Sequence, residues 1–233
     1  MNRRTKFAPK EFYHLYNRGT EKRDVFMSKD DYERFLALIY FCNQPDGSSR
    51  IQDKTLSELI KIKQENNNKQ LIDISSYCLM PNHFHILARE KEENGISKFM
   101  QKVITGYTMY FNKKHERTGA LFQGKFKATH VNEDRYLSYL ISYIHLNPIK
   151  LIEPEWKEIG INDLKQAEKY LDNFKYSSYQ DFLGRKRFEN AILNKDSLPK
   201  YFNSSFDFKK SIIEWLSYPH ARLDLGELGD TSL

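Results

Sequence analysis

Two strand-length runs joined by one tight turn constrain this chain more than any other feature. Leu71-Ile72-Asp73-Ile74 through Met80 is apolar enough for a buried strand, Pro81-Asn82 carries turn chemistry, and His83–Arg89 forms the second run. Side chains alternate across a strand, so His83 and His85 project from one face and Phe84 from the other. Two imidazoles side by side on a rigid strand make a good start to a divalent-metal site.

The flanking segments set the order of elements. Phe12-Tyr13-His14-Leu15-Tyr16 reads as an earlier strand, closed by Asn17-Arg18-Gly19. Ser28 and Asp31 form a capping box, and the helix behind it carries Tyr32, Phe35, Leu36, Ile39 and Tyr40 at helical spacing. Asn94-Gly95 opens a long helix with Ile96, Phe99, Val103 and Tyr107 on one stripe, and Lys125–Val131 reads as a fourth strand. Asn132-Glu133-Asp134 caps the next helix, which bears Tyr136, Leu140 and Tyr143 and ends near Asn147, because Pro148 disfavours helical geometry before it. The order β-α-β-β-α-β predicts an α+β, ferredoxin-like split β-α-β: an antiparallel sheet with helices on one face. The helix after the last strand is then free to lie against the His-bearing face. Residues 45–70 read as a polar insert, an excursion from the core with a short helix around Leu56–Ile62. Residues 1–151 are expected to form one domain. Residues 152–233 form a mostly helical C-terminal extension, with helices around Leu164–Leu171 and Phe208–Leu216 and a loose tail at Gly226–Asp230.

Composition narrows the function classes. Mean hydropathy is −0.72 and no apolar stretch approaches a membrane span. The basic start, Met1 to Lys6, lacks the apolar region of a signal peptide. Cys42 and Cys78 form no zinc spacing and read as reduced, packed thiols, so a cytoplasmic protein is expected. The net charge of +6 is uneven: residues 1–150 hold 25 Lys+Arg against 17 Asp+Glu, and residues 151–233 hold 12 against 14. Between positions 98 and 130, Lys98, Lys102, Lys113, Lys114, Arg117, Lys125 and Lys127 face a single acid, Glu116, and are interleaved with aromatics. Such a stretch suits a nucleic-acid surface, where charge tracks phosphates and rings stack on unpaired bases; on charge alone, the solvated face of a helix over an aromatic core is the plainer reading.

Tyr143 and Asn147 lie four apart on one helical face. A His pair, a helical Tyr and a helical amide together point to metal-assisted attack of a phenol on a phosphate. Tyr139, one turn away, is the rival nucleophile; Asn147 also reads as a plain helix-end residue, and His145, on another helix face, as a surface or DNA-contacting group.

Several blocks in order resemble one family. Tyr77-Cys78-Leu79-Met80-Pro81-Asn82-His83-Phe84-His85 resembles the HUH segment (His, hydrophobic, His) of single-tyrosine insertion-sequence transposases, in particular their REP-associated branch. Gly119…Leu121-Phe122-Gln123-Gly124-Lys125-Phe126-Lys127, then Tyr143-Ile144-His145-Leu146-Asn147-Pro148, resemble further blocks. Ser177-Ser178-Tyr179 resembles a C-terminal block usually written with Trp where this chain has Tyr176. The resemblance implies a ferredoxin-like nuclease and strand transferase on single-stranded, hairpin-forming DNA, working as a monomer or homodimer. It implies Tyr143 as nucleophile and His83, His85 and Asn147 as ligands of Mg²⁺ or Mn²⁺. Arg18, Lys98, Lys102, Lys125 and Lys127 are the candidate DNA contacts. A binding-only regulator of hairpin DNA or RNA, and a metallohydrolase using water, remain as alternatives on the same fold.

Overall fold

The computed structural model describes residues 6–45, 54–62 and 70–217. Residues 1–5 of the basic start, 46–53 and 63–69 of the polar insert, and the Gly226–Asp230 tail lie outside them. The chain runs β1 (Phe12–Arg18), α1 (Lys29–Cys42), α2 (Leu56–Ile62), β2 (Ile72–Met80), β3 (His83–Glu90), α3 (Gly95–Lys114), β4 (Lys127–Val131) and α4 (Asp134–Leu146). A 3-10 turn (Asn147–Leu151) follows, then α5 (Trp156–Ile159), α6 (Leu164–Asn173), α7 (Tyr179–Phe182), two short 3-10 turns and α8 (Ser205–Ser217). The four strands form one sheet in the order β2-β3-β1-β4, and every adjacent pair is antiparallel. This is the ferredoxin-like α+β arrangement that the order of elements predicts.

Strand alternation builds two cores on opposite sheet faces. Tyr13, Leu15, Phe84 and Ile86 face one side and pack with Phe35 and Ile39 of α1 and Phe99, Val103 and Tyr107 of α3. Cys78, Met80 and Leu87 face the other and pack with Leu140, Ile141 and Ile144 of α4, together with Ala167, Leu171, Phe208 and Ile212 from the extension. Cys42 and Cys78 are buried thiols outside any disulfide, one in each core. The Ser28–Asp31 capping box forms as read from the sequence. Gly95 starts α3 because it must pass against Leu71: a Cβ there would stand 2.3 Å from the Leu71 carbonyl oxygen.

Three local expectations change. The insert returns to the core, since Leu56 and Leu59 of α2 are buried in the first cluster against α1; an amphipathic turn within polar sequence marks this. The fourth strand begins at Lys127, because Gly124 (φ 69°) turns the chain and Gln123 bonds back to the Arg18 carbonyl before pairing with β1 starts. His145 is fully buried: α4 is covered by the sheet on one side and by Tyr179, Phe182 and Phe208 on the other, and its Nε2 lies 2.7 Å from Ser178 Oγ.

The extension also covers the β2 edge. Leu79 donates to the Tyr176 carbonyl, Ser178 to Tyr77 and Asn194 to Ile74, which satisfies an edge that would otherwise offer unpaired backbone groups. Tyr176, at the position where a Trp is usual, stacks on Tyr32 with ring centroids 3.7 Å apart. Among the described residues, no helix is long and apolar enough to cross a membrane.

Candidate active site

The site sits on the sheet face that α4 covers. Antiparallel pairing places Tyr16 opposite His85 and Arg18 opposite His83, so the two central strands put four polar side chains on one face. Tyr16 is in turn opposite Lys127, whose Nζ lies 5.9 Å from the Tyr16 ring. Both histidines are buried.

Their nitrogens are oriented by neighbours. His83 Nδ1 lies 2.6 Å from Asn82 Oδ1, which directs Nε2 away from the turn. His85 Nδ1 lies 2.8 Å from His14 Nε2, while His85 Nε2 is buried with no partner. With His85 donating from Nδ1, its Nε2 carries a lone pair aimed into the site. Burial keeps all three imidazoles neutral. It pushes His14 and His83 down to about 3, with Arg18 and Lys150 adding to the effect at His83 and the Asn147 amide opposing it. His85 is pushed well down by burial, then by His83, His14, Lys157 and Lys150.

α4 brings the remaining groups. The Tyr143 ring lies edge-on to His85 at 5.5 Å and to His14 at 6.1 Å between centroids. Tyr139 instead lies against Tyr136, Tyr143 and Trp215, one turn back on the helix. Asn147 is buried at the helix end; its Nδ2 donates to the Tyr143 carbonyl at 3.0 Å, and its Oδ1, beside His83, closes no well-formed hydrogen bond. Lys157 of α5 places Nζ 4.1 Å from the Tyr143 ring centroid. Two buried, unpartnered acceptors, His85 Nε2 and Asn147 Oδ1, therefore border His83 and Tyr143.

That donor set fits a hard divalent cation that takes few protein ligands and keeps its remaining positions for water and phosphate. Among the described residues, no group of three or more His, Cys, Asp or Glu side chains is arranged around a metal position. The third protein donor would thus be the neutral amide of Asn147.

The structure gathers some sequence candidates here and leaves others elsewhere. His83, His85, Tyr143, Asn147, Arg18 and Lys127 share this face. Lys125 is exposed in the loop before β4. Lys98 and Lys102 lie on α3, across the sheet, and Lys102 Nζ donates to the carbonyls of Gln44 and Pro45 just past α1. Gly19 beside Arg18 answers a packing need, since a Cβ would stand 2.2 Å from the Arg23 carbonyl oxygen. His14, Lys150 and Lys157 went unassigned in the sequence. His14 had a readable signal: it alternates with Tyr16 and Arg18 along β1. The lysines, beyond the helix, had none.

Residues 47–147 match the model of a family described as "Transposase IS200 like". The chain is similar to the IS200-like transposases. The match ends on Asn147 and takes in the His83–His85 strand and all of α4, the segments that carried the resemblance in the sequence. Two solved structures are similar over most of the chain. One is a REP-associated tyrosine transposase bound to a REP hairpin, 12% identical, covering 81% of this chain and 90% of that one, with a TM-score of 0.49. The other is the tRNA(His) guanylyltransferase of Saccharomyces cerevisiae, 11% identical, covering 86% of each chain, with a TM-score of 0.36. No curated protein matches.

Proposed function

We propose that this IS200-like transposase relative is a metal-dependent endonuclease and strand transferase for single-stranded DNA, with Tyr143 as its nucleophile. The observation that carries the reading is the meeting of the Tyr143 ring with His85 beside two buried acceptors that lack partners, His85 Nε2 and Asn147 Oδ1. Leaving such atoms unmet costs about 1–3 kcal/mol each, which a ligand in the site would recover.

His83, His85 and Asn147 would hold Mg²⁺ or Mn²⁺, which when bound polarises a phosphodiester and offsets charge developing on it. His14 keeps the His85 lone pair turned toward the site. α4 presents the Tyr143 phenol; a free phenol, with a pKa of about 10, is ionised in roughly one molecule in 1000 at neutral pH, so the nucleophile gains from the cation's help. In the reaction the phenolic O–P bond forms and the P–O3′ bond breaks. The protein then carries a 5′-phosphotyrosine and the other DNA piece a free 3′-hydroxyl. The ester retained on Tyr143 lets a second 3′-hydroxyl rejoin the strand without a nucleotide cofactor.

The test is incubation of labelled hairpin-forming single-stranded DNA with the full chain and Mn²⁺, resolved on denaturing gels. A protein–DNA adduct is expected, absent in Tyr143→Phe. Both adduct and cleavage should vanish in His83→Ala, with strand binding retained. Cleavage without an adduct would mean a water nucleophile. Binding without cleavage would leave a hairpin-binding regulator.

A further inference from the structure

We propose that Arg18, Lys150 and Lys157 form a three-cation cradle for one phosphate of the bound strand, so that the segment after the tyrosine helix completes the site. The inference rests on the nucleic-acid reading above and adds a subsite to it.

Each cation stands beside one residue of the site. Arg18 is the cross-strand partner of His83, on the same sheet face, and its Nε is buried without a partner. Lys150 lies three residues after Asn147 in the same 3-10 turn, a spacing at which side chains eclipse, so it projects on the Asn147 side. Lys157 rests on the Tyr143 ring at 4.1 Å. It is fixed there by its neighbour Trp156, buried in the second core, over whose ring the same ammonium lies at 5.8 Å.

Lys150 stands between the other two charges and feels or acts on each. Lys150 is pushed down by burial and further by Arg18, and Lys157 is pushed down to about 7 by burial and then by Lys150. Glu158 acts on both lysines in the opposite sense, yet among the described residues no carboxylate forms an ion pair with any of the three. Half-burying three like charges beside neighbouring residues of one site, with no ion pair to any of them, is unfavourable, and an anion placed among them removes the penalty. Its position, bordered by the His pair and the phenol, suits a phosphodiester. Free phosphate shares that chemistry, and the experiment separates the two.

The test uses the full wild-type chain in chelator. Lysines are acetylated at fixed pH and quantified by mass spectrometry, alone, with inorganic phosphate, or with a single-stranded oligonucleotide. At a strand concentration about ten times its Kd, labelling of Lys150 and Lys157 should fall roughly tenfold, while exposed Lys210 keeps its rate. Protection by the oligonucleotide, with or without protection by phosphate, supports the cradle. Protection by phosphate alone overturns the strand as its occupant, and protection by neither overturns the cradle itself. A Lys150→Gln/Lys157→Gln double variant should lower the salt slope of strand binding by about 0.7, one phosphate's share, and an unchanged slope overturns the proposal. Protection without any cleavage in Mn²⁺ would sink the nuclease reading and leave the subsite standing.

Discussion

The two faces of the sheet are built from the same strands and do opposite things. On the α1/α3 face, Tyr13, Leu15, Phe84 and Ile86 meet aromatic and aliphatic side chains. On the α4 face, the intervening residues His14, Tyr16, Arg18, His83 and His85 meet one another, and several buried nitrogens have no partner. One residue step along β1 or β3 thus moves from packing to chemistry. A rigid apolar face holds the polar one in register, because a slip of one residue would drive His83 and His85 into the α1/α3 core. Polar atoms left unmet on a face otherwise packed this tightly are what a binding site looks like before its ligand arrives.

The sharpest test of this contrast compares neighbours on β3. Phe84 is fully buried against Phe35 and Phe122, so Phe84→Ala should cost about 3–5 kcal/mol in denaturant unfolding. His85→Ala, one residue on, should cost clearly less and abolish cleavage. Equal losses of stability would mean that the polar face is packed as a core and the contrast fails.

The next effect belongs to the apolar side, where one charge is buried by design. Asp31 of α1 has no exposed surface and accepts from the Met27 and Ser28 backbone N–H groups and from Lys114. Burial alone would raise its carboxyl; Lys114 and the Met27 N–H outweigh it and hold it below the usual aspartate range. A depressed folded value contributes stability above the unfolded pKa of about 3.9, and that stability is lost as pH falls through the folded value. Unfolding followed between pH 7 and pH 2 should show this acid loss, and Asp31→Asn should be less stable at pH 7 with a flatter acid limb. An unaltered limb would remove Asp31 as its cause.

A smaller effect sharpens the polar side. The hydrogen bond of His14 into the site goes to His85, so His14→Phe, which keeps a ring beside Tyr143, should lower adduct formation roughly 10–100-fold. Raising Mn²⁺ should recover part of the loss, and strand affinity in chelator should not change. A matching loss of affinity would make His14 a strand contact instead of an orienting one.

How much of this was legible follows the same division. The first core was readable because alternation in β1 and β3 and the helical stripes of α1 and α3 agree on which residues turn inward. The His83–His85 pair and the Tyr143–Asn147 spacing were readable for the same reason, since each lies within one periodic element. Hidden were the contacts that join distant elements. Nothing local in Lys150 or Lys157 announces a place beside Asn147 and Tyr143, because it depends on how the chain folds back after Pro148. His145 misled in the same way: its helix face reads as solvent only until α7 and α8 are placed over it. Lys98 and Lys102 counted as part of a basic stretch, yet sequence proximity to Lys125 and Lys127 says nothing about which side of the sheet a charge occupies.

That last distinction gives the smallest predicted effect and the most direct probe of sidedness. Lys127 lies over Tyr16 in the cross-strand row that runs on to His85, whereas Lys98 stands on α3, behind the sheet. If the strand lies along the α4 face, Lys127→Gln removes one phosphate contact and lowers the log–log salt slope by about 0.7, from a value near −4 for about six contacts. Lys98→Gln should leave the slope where it was. The reverse result would put the strand on the helical layer, where it could not reach the Tyr143 phenol without crossing the sheet.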